Sequence, residues 1–303
     1  MVSRVHRNGL LALAIFAVGM VLGSRSDAFM EAVGRLATTN ETVVVPLPHR
    51  LEVFGEAVPL GESDIAEALS RELHANTYWH SNTLLMLQRR PRWEARVRAW
   101  LREEGVPEDF VYLLAAESGF QPTAFSSSGA AGLWQFMPST AREHGLRVDA
   151  QIDERYHAEQ ATRTAAAYLK NAYAQTGSWF LAAAAYNMGL NGVLRQMERQ
   201  GERNYFRMTW NDETGRYGFR IAALKLLLEH PEHYGYHVRA EELWREEPGR
   251  RVVVDSSVAH WGRWAQREGL SYRELKRRNP WLREASLDNP DSSAFELELP
   301  ERR

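Results

Sequence analysis

From Asn76 to Ala240 the chain is divided by Pro and Gly into helix-length stretches, with apolar residues recurring three and four apart and no long strand-like alternation. That punctuation constrains the fold more than any other feature, and it predicts a compact all-helical block. Asn82 can cap a helix through Leu84, Leu85, Met86 and Leu87, and Pro91 starts another that carries Trp93, Val97, Trp100 and Leu101 and stops at Gly105. Pro107 opens a third, with Glu108 and Asp109 in its first turn, where the helix dipole favours acids. Pro138 opens a short helix ending at Gly145, and Ala158 to Gln175 reads as a long one. Ser178 can cap Trp179 to Asn187, and Tyr217 to Glu229 ends before Pro231.

The flanks differ. Residues 29–75 read as a tether with extended pieces at Val43 to Pro48 and Val58 to Gly61, because a residue preceding Pro avoids the α region, and with one short helix from Ser63 to Leu73. After residue 247, Arg251 to Val254 is a strand candidate, Ser257 to Glu268 and Ser271 to Arg278 are short helices, and Phe295 to Pro300 alternates as a closing strand. That βααβ unit is near the lower size limit for a self-sufficient core. At the other end, Arg4, His6 and Arg7 precede an apolar run from Leu10 to Leu22 and small residues up to Ala28. Residues 1–28 therefore read as a signal peptide or an uncleaved N-terminal anchor, and either places the rest outside the cytoplasm. The expected division is 1–28, 29–75, 76–247 and 248–303.

Over 303 residues the formal net charge is -2, which argues against a nucleic-acid binder. The absence of Cys excludes disulfides, thiolate-bound zinc and a thiol nucleophile. His230, His233 and His237 cluster, but Pro231 and Gly235 break the helical spacing, so a solvated loop is expected there and no metal or cofactor.

One carboxylate stands out. Glu117 follows Phe110, Leu113 and Leu114 by seven, four and three residues, which puts it on the apolar face of its helix. An ionised carboxylate is costly there, so its pKa should rise, as a general acid for sugar-bond cleavage requires. A partly buried Glu hydrogen-bonded to a neighbour is the alternative. Next comes a Ser/Gly/Ala-rich loop from Ser126 to Gly132, leading into Leu133-Trp134-Gln135-Phe136-Met137-Pro138. Gln135 offers a donor and an acceptor suited to an amino sugar, and its neighbours offer apolar surface for a pyranose face. Further on, Ala182 to Ala185 lead into Tyr186 and Asn187, a substrate-contacting pair or equally a core Tyr and a helix cap.

Taken in order, the Glu-Ser, Gly-Leu-Trp-Gln-Phe-Met-Pro and Ala-Tyr-Asn motifs closely resemble the lytic transglycosylase family with a goose-lysozyme-like catalytic domain, nearest its membrane-bound lytic murein transglycosylase D branch. The likeness runs from about Asn76 to Ala240 and includes Thr77-Tyr78-Trp79-His80-Ser81-Asn82-Thr83. It implies a mainly α, lysozyme-like fold, with Glu117 as catalytic acid/base and Ser126, Gln135, Met137, Tyr186, Asn187 and Tyr217 contacting substrate. It also implies peptidoglycan strands as substrate and a periplasmic setting. The bond between N-acetylmuramic acid and N-acetylglucosamine would be cleaved to a 1,6-anhydro end. A water-using muramidase and a non-catalytic wall-binding protein are the alternatives. Gly215 and Gly218 depart from the usual Arg and Val, and Met188 from a small residue. The C-terminal unit resembles a degenerate LysM module through Tyr272 to Lys276 and Asn279 to Leu282, which makes it either a glycan binder or a structural cap.

Overall fold

A computed structural model describes residues 43–301. The signal-peptide reading of residues 1–28 and the start of the tether lie outside the described residues. Among these, no helix is long and apolar enough to cross a membrane.

Ten helices dominate the described residues, in keeping with the helical block that the periodicity predicts. They are α1 (Ser63–Thr77), α2 (His80–Glu103), α3 (Phe110–Ser118), α4 (Pro138–Glu143), α5 (Ala158–Thr176), α6 (Trp179–Met188), α7 (Leu190–Gln200), α8 (Asp212–Glu229), α9 (Trp261–Arg267) and α10 (Tyr272–Arg278). Two of them, α3 and α6, are apolar all round and form the centre, since a helix without a polar face must be covered on every side. Phe110 to Leu114 in α3 and Phe180 to Ala185 in α6 are buried. The four alanines of α6 leave room for close packing against α5, α7 and α8. Helix α8 packs against α1, α3 and α6, so it crosses directly behind the Glu117 helix.

Two expectations are corrected. The first concerns residues 45–75, which are not strung out as a tether. Val45, Leu51, Val53, Phe54 and Val58 enter the main core, and α1 lies along α8. A small hairpin, β1 (Glu52–Val53) with β2 (Glu56–Ala57), turns through Phe54 at φ 60 and Gly55 at φ 80. Two consecutive left-handed residues match the strand twist of a tight hairpin. The Phe54 ring stacks on Phe110 at 4.1 Å, and its backbone N–H donates to Asp109 at 2.8 Å, which offsets the strained φ. The second correction is Pro91, which lies inside one 24-residue helix, α2, rather than starting a new one. An internal Pro costs about 3 kcal/mol. Burial on both sides of it, by Met86 and Leu87 before and Val97, Trp100 and Leu101 after, outweighs that cost.

Boundaries shift elsewhere. Asp109 stands outside α3 as its N-cap and pairs with Lys225 of α8 at 2.7 Å, while α7 was not anticipated. The C-terminal unit is βααβ as expected. Strands β3 (Gly249–Val254) and β4 (Phe295–Pro300) pair antiparallel around α9 and α10. Its core of Trp261, Leu275, Trp281, Leu297 and Leu299 also takes in Ala131, Ile152 and Tyr156 from the helical block.

Candidate active site

Glu117 occupies the last turn of α3. Gly119 ends that helix in the left-handed region at φ 55, a conformation that suits glycine. The turn that follows exposes one side of the carboxyl to a groove of about 400 Å³, lined also by Glu72, Asn76, Trp79, Arg89, Arg216 and Arg220. Beneath it, the Tyr217 hydroxyl donates to Glu117 Oε1. Tyr217 is itself buried on α8. Burial raises the Glu117 pKa from 4.5 to about 7, the dominant influence. The Tyr217 hydrogen bond and the positive charge of Arg220 pull it down, and Glu213 pushes it up. The sequence-based expectation of a perturbed acid is met in both direction and cause.

The remaining candidates divide by what their polar atoms do. Gln135 sits at φ 49, and its side-chain amide donates to the Gly132 and Ala124 carbonyls at 2.8 and 3.3 Å. Its Nε2 thus shapes the loop, leaving Oε1 free to accept from a ligand. The Ser126 hydroxyl lies 2.9 Å from the Ser128 hydroxyl and accepts from the Ala130 N–H at 2.9 Å, which fastens the turn. Met137 is exposed at the start of α4. Tyr186 donates to the Trp134 carbonyl at 2.7 Å, tying α6 to the same loop. Burial carries its pKa well above the ordinary tyrosine value, and the Glu117 charge adds to that effect. Asn187 accepts from the Thr214 hydroxyl at 2.8 Å, linking α6 to α8. The structure therefore brings together Glu117, Tyr217 and Tyr186. Ser126 and Gln135 fasten their own loop, Asn187 joins two helices, and none of the three lines the groove.

The loop is built on a close approach. A β-carbon at Gly132, φ 80, would stand 1.8 Å from the Arg155 carbonyl oxygen. The buried Arg155 guanidinium in turn donates to the Gly129 and Phe136 carbonyls at 2.7 and 3.1 Å, and Asp153 holds it at 2.7 Å. A buried ion pair of this kind is expensive to break from one side, about 3–5 kcal/mol, which makes it a firm anchor.

Sequence reasoning missed Glu72, Arg89, Arg216 and Arg220. Glu72 is only 1% exposed and is gripped by Arg216 at 2.6 Å and Arg220 at 3.6 Å. It follows Ile65 and Leu69 by seven and three residues, the same pattern that marks Glu117. Among the histidines, ligand atoms of His230, Glu232 and His233 come within 4.8 Å of one another at an exposed site that does not include His237.

The transglycosylase SLT domain family matches residues 96–209, and the soluble lytic transglycosylase C-terminal LysM-like domain matches residues 250–303. Membrane-bound lytic murein transglycosylase D of Escherichia coli (strain K12) is 27% identical over 242 residues, 77% of this chain and 52% of that protein. The chain thus spans about half the length of this relative. Peptidoglycan transglycosylase gp16 of Escherichia phage T7 is 41% identical over 88 residues, 28% of this chain and 7% of that protein. Among solved structures, the 70 kDa soluble lytic transglycosylase of Escherichia coli aligns at 16% identity and a TM-score of 0.41, covering 79% of this chain and 46% of its own.

Proposed function

On the premise that this chain carries a transglycosylase SLT domain followed by a LysM-like domain, we propose that it is a peptidoglycan lytic transglycosylase with Glu117 as its single acid/base. The observation that carries this reading is the Glu117 carboxyl, facing a groove with a pKa near 7 and supported from below by Tyr217. Protonated Glu117 donates to the oxygen joining N-acetylmuramic acid to N-acetylglucosamine, and that bond breaks. The muramic N-acetyl group stabilises the developing cation. Ionised Glu117 then takes the proton from the C6 hydroxyl of the same sugar, whose oxygen closes onto C1. The product is a 1,6-anhydro end, no water is consumed, and the acid is regenerated. A group that acts first as acid and then as base works best with its pKa near the working pH. The attack is intramolecular, so positioning dominates the barrier. In this reading Gln135 Oε1, Met137, Ser126, Tyr186 and Asn187 supply the positioning of the strand as it reaches Glu117.

A hydrolytic muramidase would need a second carboxylate to activate water. Glu72 is the other acid lining the groove, but it is buried and Arg216 and Arg220 engage its two oxygens. That arrangement favours the one-acid route. The envelope setting follows from the substrate. We place the enzyme in the periplasm, with membrane association through its N-terminal segment, acting on glycan strands without metal or cofactor.

Mass spectrometry of digested sacculi tests the activity. Anhydro ends, lighter by one water than reducing ends, are expected from the parent protein. Glu117→Gln should bind glycan and yield none, a loss of at least about 10³-fold in rate. Reducing ends from the parent, or near-normal turnover by the variant, would reject the proposal.

A further inference from the structure

Three arginines line the groove beside Glu117, and they are not equivalent. Arg216 and Arg220 pair with Glu72, and Arg220 also pairs with Glu213 at 3.0 Å. Arg89, on the groove side of α2, has neither an ion pair nor a hydrogen bond among the described residues. Its neighbour Arg90, by contrast, is fully engaged, with Glu94 and with the Leu228 carbonyl. The guanidinium of Arg89 sits next to the end of the acid's helix. A β-carbon at Gly119, two residues beyond Glu117, would meet Arg89 Nη1 at 3.9 Å. The charges that act on Glu117 are those of Arg220 and Glu213, so Arg89 is not the partner of the acid. Partial burial disfavours the charge on Arg89 and lowers its pKa, and no protein acid offsets that effect.

A planar five-donor fork held unpaired in a groove of ligand size is matched by a carboxylate. We propose that Arg89 is a substrate-recognition residue that binds a carboxylate carried by the glycan strand. This rests on the reading of the substrate as peptidoglycan. Two sources present that chemistry. On a strand stripped of peptide, the lactyl ether on C3 of the muramic ring ends in a free carboxylate, on the same ring as the C1 whose bond breaks. On a peptide-bearing strand the lactyl group is amidated, and the carboxylates belong to the stem. The neutral, hydroxyl-rich remainder of the strand contacts the uncharged groove residues Asn76, Asn82 and Trp79.

The test uses the full chain carrying Glu117→Gln, so that binding is measured without turnover. Isothermal titration is run with muropeptide oligosaccharides that bear stem peptides, with the same strands after amidase treatment, and with a chitin hexasaccharide that has no carboxylate. Adding Arg89→Gln should weaken binding at least about tenfold on one of the two carboxylate-bearing ligands and leave chitin unchanged. Adding Arg89→Lys should restore only part, because an ammonium cannot reproduce the fork. A loss confined to peptide-bearing strands assigns the stem, and a loss confined to amidase-treated strands assigns the lactyl group. Equal loss on all three ligands, or no loss on either carboxylate-bearing one, overturns the inference. Absence of glycan binding by the protein with Arg89 intact would instead reject the peptidoglycan reading itself. In the catalytically intact background, Arg89→Gln should raise KM about tenfold and leave kcat within about threefold, a split that a merely structural role would not produce.

Discussion

A carboxyl that must give and then recover one proton needs a pKa near the working pH, and opposed influences, burial the largest, set it for Glu117. Burial favours the neutral form, whereas Tyr217 and Arg220 favour the ionised one, leaving the pKa near 7. The same balance costs stability. Glu117 holds its proton more tightly folded than unfolded, so between about pH 4.5 and 7 the folded state binds more protons and stability falls as pH rises. Below that window both states are protonated and nothing is lost; above it both are ionised and the full cost stands. Glu117→Gln keeps an oxygen to accept from Tyr217 and removes the charge. It should therefore be more stable than the parent by about 1–3 kcal/mol near pH 8, allowing for the open side of the groove, with the gain vanishing near pH 4. Urea unfolding at the two pH values measures this, and an equal gain at both would contradict it.

Helix α8 carries Tyr217, and its position depends on the residue that follows. Gly218 leaves space for the Tyr205 ring, since a β-carbon there would meet Tyr205 Cε1 at 2.7 Å and its hydroxyl at 2.9 Å. The hydroxyl of Tyr205 accepts from the Gly218 N–H at 3.0 Å and donates to the Thr214 carbonyl at 2.7 Å. The departure from the family's usual Val is thus matched by the hydroxyl end of an aromatic ring set against the helix. Gly218→Val should cost about 1–3 kcal/mol through overpacking, and should cost clearly less in a Tyr205→Ala background. Thermal melts of the two single variants and the double variant read that coupling; simple additivity would refute it. This contact also shows where sequence reasoning ends. Periodicity and punctuation located most helices, and an acid on an apolar stripe located Glu117, because both signals are local. Gly218 was seen as a departure but not explained, because Tyr205 is thirteen residues away and reaches it only through the fold. Glu72 carried the same local signal as Glu117. It went unread because Pro46, Pro48 and Pro59 suggested an extended tether, and tertiary packing of Val45 to Val58 overrode that local preference. The roles of Ser126 and Gln135 as loop fasteners likewise depend on carbonyls that only the folded loop brings near.

For the whole molecule, the open choice is whether the C-terminal LysM-like unit only holds glycan or also braces the catalytic block. The contacts support bracing. Trp281 accepts from the Asp153 N–H at 2.9 Å, and the Arg283 N–H donates to Gln151 at 2.8 Å, so the unit extends the backbone bonding of the segment that follows α4. Glu298 pairs with Arg96 on α2, and Arg251 pairs with Glu159 on α5 at 3.2 Å. Ala131, within the Ser126–Met137 loop, and Tyr156, beside the Arg155 anchor, are buried in the unit's own core. Removing residues 248–303 would uncover that apolar surface and loosen the Ser126–Met137 loop, which Trp134 ties to Tyr186 near Glu117. Solvent would then reach the Asp153–Arg155 pair, whose hold on the Gly129 and Phe136 carbonyls depends on burial. The truncated protein should therefore lose at least about tenfold in kcat/KM even on short soluble muropeptides that need no wall anchoring. Its melting temperature should fall as well, and the full chain should unfold in one transition rather than two. A unit serving only as a wall anchor predicts otherwise: unchanged turnover of soluble muropeptides, reduced turnover of intact sacculi, and a separate early melting step. Assays on the two substrates, together with one calorimetric scan of the parent, distinguish these outcomes.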